Sequence, residues 1–470
     1  MFNTDGLLPP QIPHAIKLRD SILQNGVAWD GSITGAGKTY VACSIARDLK
    51  RPFVVICPKI SIPMWERMVK EFGLNAKLII NFEKLARGNT KWLKYKRNKK
   101  GEDLPDFLLA NLKFPTDWLI ILDESHKCKG VTSLNAGIMF AIKRQGYSSH
   151  LMSATQATTP LDMRAFGYLM DLHNGEMKKF KEFCVEAGAK WVGKWGAQYF
   201  DSDDPESVEK LKKIHHYLFD LKKVGSRLVR EDFGSIFPDN QIVAESYDMG
   251  VNSDKIQSVY DEMEAELDRL EEQAENYKEH ILAIITKARR KVELLKVPTM
   301  VEMSADLYQE GKSVALFVNY TDTIQAIYER LSKEFNKDLI GKIYGGQPPK
   351  QRIQDIDDFQ ADKKRFVVAN LAAGGLSISL HDLNGKHPRG SIINPSWSAI
   401  SVLQSMGRCD RAYTKTPVYQ RALFAARTIE ENVCRRFQQK KDHIDILNDG
   451  DLIPSDRIFK IVRSLPTLDI

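Results

Sequence analysis

The segment Ser32-Ile33-Thr34-Gly35-Ala36-Gly37-Lys38-Thr39 constrains this chain more than any other stretch, because it joins an apolar run to a helix-patterned one, Tyr40 to Leu49, through a glycine-rich turn. Glycine tolerates left-handed backbone, so successive N–H groups and the helix N-terminus can surround phosphate oxygens. Thr34, Gly35, Ala36 and Gly37 supply that cradle, Lys38 reaches toward the β- and γ-phosphates of a nucleotide, and the Thr39 hydroxyl is placed to bind Mg2+. Ser32 occupies the position where the usual eight-residue pattern has its first glycine.

A second feature meets the first. Trp118 to Leu122 (WLIIL) runs directly into Asp123-Glu124-Ser125-His126, about 85 residues after the turn. This puts two carboxylates at the C-terminal end of a buried strand, where open α/β sheets carry out phosphate chemistry. Burying such a pair without work for it is costly. Asp123 is expected to hold Mg2+ through water, and Glu124 to orient or deprotonate an attacking water. Hydrolysis of ATP or GTP follows as the expected reaction.

Apolar runs at Pro52–Cys57, Ala76–Ile80, Trp118–Leu122 and around Leu151 and Met152 alternate with helix-like stretches, and the texture returns at Val314–Val318, Phe366–Ala369 and Ser391–Ile393. Two parallel α/β lobes are implied. Between about Leu172 and Val297, Lys, Glu and aromatic residues dominate and strands are hard to find. There, apolar residues from Ile256 to Leu295 recur mostly three and four apart, with no Gly or Pro between Asn252 and Pro298. One helix is predicted, capped by Asn252 or Ser253 and stopped by Pro298, acidic in its first half and basic in its second. It reads as a solvated strut, or as a coiled coil for a protein partner.

At 470 residues the chain has room for about three folding units. Its net charge of +7 permits a polyanionic partner without demanding one. No run approaches the roughly 20 apolar residues of a membrane span, and six cysteines without a C-x-x-C pair suggest neither zinc nor disulfides. A soluble protein of a reducing, intracellular compartment is expected, in cytoplasm or nucleoid/nucleus.

The order of phosphate loop, D-E-S-H, Ser153-Ala154-Thr155 and Gln404-Ser405-Met406-Gly407-Arg408-Cys409-Asp410-Arg411 resembles the superfamily 2 helicases and translocases, whose motor is two RecA-like lobes. Val55-Ile56-Cys57-Pro58-Lys59 with Ile62-Pro63-Met64-Trp65 is similar to motif Ia of the Swi/Snf-type branch. Arg227 to Asp232, Lys296-Val297-Pro298, Tyr344-Gly345-Gly346 and Asn370 to Leu376 continue the likeness over nearly the whole chain. The bare architecture looks most like the small annealing-helicase-like members and would suit a viral or phage gene, with the host cell as location. Departures stand at Ser32-Ile33-Thr34, where the branch carries an acidic pair, and at Ser377 and Ser379, where motif V usually has Gly and Asn.

The resemblance implies an α/β fold of two RecA-like lobes with a mainly helical insertion: residues 1–172 as the ATP-binding lobe, 173–298 as insertion and linker, 299–445 as the second lobe, and 446–470 as a tail. It implies ATP and Mg2+ as cofactors, and a monomer that moves on DNA, duplex DNA above all, with no membrane role. Gln11 would read adenine. Gln404 would sense the nucleotide or attacking water. Arg408 and Arg411, one turn apart on a predicted helix, would meet the γ-phosphate. Ser153 and Thr155 would couple the phosphate end to the lobe interface. Lys59, Ser61, Asn81, Gly345, Ala373 and Gly374 occupy strand-facing motifs. Separately, Lys91 to Lys100 holds six Lys/Arg with Trp92 and Tyr95 interleaved, so Lys94 and Arg97 are candidate grips on a DNA backbone, or part of a solvated loop. A strand-separating helicase on DNA or RNA, or a partner-docked ATPase switch, is the alternative.

Overall fold

Every residue of Phe53–Cys57, Leu119–Asp123 and Ser313–Val318 is buried, as expected of strands covered on both faces. The computed structural model describes residues 2–440 apart from 89, 96–109, 130, 132, 155, 157–158, 193–196, 201–203, 238, 272–276, 371–377 and 397–398. The chain divides into two units, Met1–Gly234 and Ser235–Ile470.

The first unit contains strands β1 (Val27–Asp30), β2 (Phe53–Cys57), β3 (Leu78–Asn81), β4 (Leu93–Tyr95), β5 (Ala110–Leu112), β6 (Leu119–Asp123), β7 (Ser149–Met152), β8 (Lys190–Val192), β9 (Ala197–Tyr199) and β10 (Gly225–Ser226). Six of them form a parallel sheet in the order β10-β1-β7-β6-β2-β3. The helices Gln11–Asn25, Lys38–Leu49 and Ile62–Glu71 lay Leu18, Val41 and Trp65 over Ala28, Val55, Ile121 and Met152 on one face. Leu134–Gln145 lays Ile138, Met139 and Ile142 over Val54, Ile120 and Leu151 on the other. Side chains alternate between faces along a strand, so each strand feeds both cores. Antiparallel pairs β4–β5 and β8–β9 stand apart from the sheet.

The second unit adds β11 (Asn240–Tyr247), β12 (Ser313–Val318), β13 (Ile340–Ile343), β14 (Phe366–Asn370), β15 (Arg389–Ile393) and β16 (Val418–Ala425), all parallel in the order β11-β16-β15-β12-β14-β13. Helices Val297–Gln309 and Thr321–Glu334 cover one face through Met300, Leu307, Ile324 and Ile327. Phe359, Val402, Met406 and Phe437 cover the other. The fold is α/β, two parallel-sheet units with helices on both faces.

Two expectations about the middle of the chain are corrected. Strands that are hard to find in its sequence are present: β10 extends the first sheet and β11 the second. β11 (NQIVAESY) is a half-solvated edge strand paired on one side only, so its apolar pattern is weak. Nor is Asn252 to Pro298 one helix. Val251–Glu271 and Tyr277–Leu295 pack side by side through Ile256, Tyr260, Met263 and Leu267 against Ile281, Ile285, Ala288 and Val292. The Asn252 Nδ2–Leu295 carbonyl bond (3.1 Å) and the Lys291–Glu262 ion pair (3.4 Å) make the two antiparallel. Each large side chain in that seam gains about 1.5–3 kcal/mol on burial, which a lone strut would forgo. The second of these helices ends at Leu295, just before Pro298, which itself stands in the first turn of the next helix, where its missing N–H costs no bond. Among the described residues no helix is long and apolar enough to cross a membrane.

Candidate nucleotide site

β1, β7 and β6 are adjacent, and their carboxyl ends carry the phosphate loop, Ser153 and the Asp123-Glu124 pair respectively. The register places Asp30 beside Met152 and Met152 beside Asp123, so both aspartates stand on one face at one level. The loop turns through left-handed Gly35 (φ 88°) and Gly37 (φ 80°) into the helix that starts at Lys38. A Cβ at Gly37 would collide with the Gln11 amide. Gln11 is buried, donating from Nε2 to the Ala36 carbonyl (2.7 Å) and accepting from Leu8 N–H (2.8 Å). Its side chain therefore braces the loop. Lys38 Nζ donates to the Ser32 (2.7 Å) and Ile33 (3.0 Å) carbonyls. Thr34 and Thr39 are half-buried within the same turn.

Asp123 is buried, and its Oδ2 accepts from the Trp65 indole N–H at 2.8 Å. Burial and the neighbouring Glu124 push its carboxyl up, with Trp65 and Lys38 working the other way. A buried carboxylate with that upward pressure, beside a second acid, suits a hard divalent cation with oxygen ligands and retained waters. Glu124 adopts a left-handed backbone (φ 54°), a strained state for a non-glycine residue and one that concentrates at functional positions. Its Oε2 lies 3.3 Å from His126 Nδ1, which in turn lies 3.0 Å from Ser153 Oγ. Ser153 is thus tied to the acid pair, and its N–H donates to the Asp30 carbonyl (3.1 Å).

In the second unit the helix Ala399–Cys409 carries Gln404 and Arg408, both buried. Arg411 lies beyond its end, which corrects the expectation that the two arginines share a helix. Arg411 folds back instead, donating from Nε to the Gly407 carbonyl (3.2 Å) and from Nη2 to the Ile378 carbonyl (2.8 Å). Among the strand-facing candidates, Lys59 and Lys94 are exposed and Gly345 lies in an exposed turn, but Ser61 is wholly buried. Asn81 caps the short Phe82–Ala86 helix by accepting from Lys84 N–H (2.7 Å). Trp92 packs on Phe114 and Trp118, and the Tyr95 hydroxyl donates to the Ala86 carbonyl, so both aromatics are half-buried against the core. Thr155, Ala373, Gly374 and Arg97 lie outside the described residues.

Sequence reading missed three contributors: Trp65 as the donor to Asp123; Gln156, bonded to Ser125 beside the acid pair; and the buried group of His14, Asp30 and Ser226 beneath the loop. Trp65 was visible only as part of a motif. The others carry no spacing signal, since their partners come from other elements.

Residues 295–413 match the helicase conserved C-terminal domain family. A protein of Acanthamoeba polyphaga mimivirus described as an ATP-dependent RNA helicase is 33% identical over 466 residues, covering 95% of this chain and 84% of its own. CHROMATIN REMODELING 4 of Arabidopsis thaliana is 23% identical over 86% of this chain, and a RAD54-like DNA repair and recombination protein of Drosophila ananassae 30% over 27%. This chain spans only 19% and 16% of those two proteins. The Sulfolobus solfataricus SWI2/SNF2 ATPase core in complex with dsDNA aligns over 100% of this chain and 98% of its own, at 16% identity and a TM-score of 0.36, too distant to bear on substrate. With the phosphate loop, the D-E pair and the two parallel-sheet units in place, the chain belongs to the superfamily 2 helicases, in their Swi/Snf-type branch, and is an ATP-hydrolysing motor that acts on nucleic acid.

Proposed function

We propose that the chain is an ATP-dependent DNA translocase that moves along or remodels duplex or branched DNA. The observation that carries this reading is the convergence of Lys38, Thr39, Asp123 and Glu124 at the carboxyl ends of β1 and β6 in a chain of the Swi/Snf-type branch. Lys38 and the loop N–H groups hold the β- and γ-phosphates, and Gln11 keeps the loop in shape. Asp123 and Thr39 hold Mg2+, which when bound neutralises charge on the phosphates. Glu124, on its strained backbone, aligns water for attack on the γ-phosphorus. Arg408 and Arg411 supply the positive charge that stabilises the departing phosphoryl group, and Gln404 senses the nucleotide state. Ser153, through His126, reports the state of Glu124. Lys59, Gly345 and the Lys91–Lys100 segment grip strand phosphates without reading bases.

A second reading, RNA unwinding, is favoured by the description of the mimivirus relative. The test is ATPase stimulation by duplex DNA, single-stranded DNA and RNA of equal length. Duplex DNA is expected to stimulate most, whereas stimulation by RNA alone would transfer the assignment to the second reading. Glu124→Gln should bind ATP and lower turnover by roughly 100-fold or more. Wild-type turnover in that variant would remove Glu124 from the chemistry.

A further inference from the structure

Beneath the phosphate loop lies a histidine–aspartate pair that hydrolysis itself does not call for. His14, from the Gln11–Asn25 helix, and Asp30, the last residue of β1, are both buried, with Nε2 and Oδ1 3.1 Å apart. Nε2 faces the carboxylate, and Nδ1 pairs with the Ser226 hydroxyl of β10 (2.8 Å). The pair converges on Ser32, the first residue of the eight-residue loop. Asp30 Oδ1 accepts the Ser32 N–H (3.0 Å), and His14 Nε2 lies 3.2 Å from Ser32 Oγ. Ser32 Oγ also accepts the Leu228 N–H (3.0 Å), and the Ile33 N–H donates to the Leu228 carbonyl (3.1 Å). The Ser32 carbonyl, whose peptide plane the Ile33–Leu228 bond fixes, and the Ile33 carbonyl are the two acceptors that hold the Lys38 ammonium.

We infer that His14 and Asp30 are positioning residues for ATP binding: the buried pair, acting through Ser32, sets the carbonyls that aim Lys38 at the β- and γ-phosphates. This rests on reading Gly35 to Thr39 as the phosphate loop. Serine replaces the usual first glycine because its N–H and hydroxyl are the handles by which the pair grips the loop. The arrangement belongs to phosphate binding more than to general stability, since a buried polar pair is often no more stabilising than apolar residues of equal volume. The other groups that act on the carboxylate, Lys38 and His150, are both bases. Ser226 and Leu228 lie within ten residues of Gly234, where the first unit ends, so the stretch leaving this unit is hydrogen-bonded to the loop.

The experiment compares Asp30→Asn, Ser226→Ala and Lys38→Ala with the wild type. The readouts are binding of a fluorescent ATP analogue without nucleic acid, KM and kcat for ATP, and thermal melting. Asp30→Asn keeps the shape and an acceptor for Ser32 but removes the charge. It should raise both the Kd for the analogue and KM by about tenfold, with kcat changed less than about threefold. Ser226→Ala removes the outermost link alone and should raise KM by about threefold with an unchanged melting point. Should Asp30→Asn fail to fold, Ser226→Ala decides. Unchanged Kd and KM in whichever of these variants folds, with Lys38→Ala losing affinity, would overturn the inference and leave the loop assignment standing. Normal analogue binding by Lys38→Ala would overturn the loop assignment itself.

Discussion

Glu293, near the end of the Tyr277–Leu295 helix, is almost wholly buried and accepts from four N–H groups. They are the Asn319 backbone (2.9 Å) and amide (2.6 Å), the Tyr320 backbone (3.0 Å) and the Asn394 amide (2.5 Å). Asn319 and Tyr320 lead into the Thr321–Glu334 helix, and Asn394 follows β15, the strand beside β12. The carboxylate therefore occupies an anion position at a helix N-terminus and pins the helical hairpin to the second sheet. Glu293→Ala removes the acceptor from all four donors. If half of them rehydrate, the two that stay dry cost about 1–3 kcal/mol each, and the lost helix-end charge adds about 0.5–1, giving roughly 3–7 kcal/mol. With a urea m-value of about 2–3 kcal/mol per molar, the second-unit transition should move down by roughly 1–3 M. Binding of an ATP analogue to the first unit should be unchanged. A midpoint shift under about 0.3 M would show that water replaces the carboxylate freely and that no pin exists.

Three further outcomes are expected. Trp65→Phe keeps the ring's bulk but deletes the N–H that orients Asp123, so half-saturation of nucleotide binding by Mg2+ should rise by roughly 10-fold; an unchanged requirement would make Trp65 a packing residue only. His150 is buried in β7 and its pKa is lowered to about 4, by burial first and by His14 next, with Asp30 opposing. A folded pKa below the ordinary value means that the unfolded chain takes up the proton first, so stability is lost as pH falls from about 6.5 toward 4. At pH 5 the loss is about 2 kcal/mol, and His150→Leu should abolish that share of the fall in first-unit melting between pH 7 and 5. Replacing Lys94, Arg97 and Lys99 together should flatten the log–log salt dependence of duplex binding by up to about 3 and leave basal ATPase alone; an unchanged slope would return the segment to plain solvated surface.

The parts of the fold that the amino-acid pattern exposed are those in which a local rule and the tertiary structure agree. Phe53–Cys57, Leu119–Asp123 and Ser313–Val318 are apolar at nearly every position because both faces are covered, so a run of side chains suffices to locate them. β11 escaped because an edge strand needs only half its residues buried, and β10 because two residues carry no pattern at all. The hairpin was read as one helix because the 3.6-residue period continues unbroken in both of its helices. Periodicity records which side chains face a core but not where the chain reverses to build that core from itself.

The site divides along the same line. Groups that meet phosphate are confined to short loops at strand ends, so Gly35 to Thr39 and Asp123-Glu124 appear as contiguous motifs. Groups that hold those loops in shape are free to come from any element the fold brings near. Asp30 takes its partner from 16 residues earlier in the chain, Ser32 bonds to Leu228 196 residues away, and Asp123 takes its donor from Trp65 at a separation of 58. Read as sequence, Asp30 is only the polar end of a short strand and His14 only a polar residue of an early helix. A buried carboxylate must find a counter-charge or donors, however, and that requirement could have marked Asp30 once β1 was recognised as a central strand. The departure at Ser32 was therefore legible as a change of residue before its cause was. The hydroxyl and N–H that glycine could not both supply are what connect the loop to a pair folded in from elsewhere.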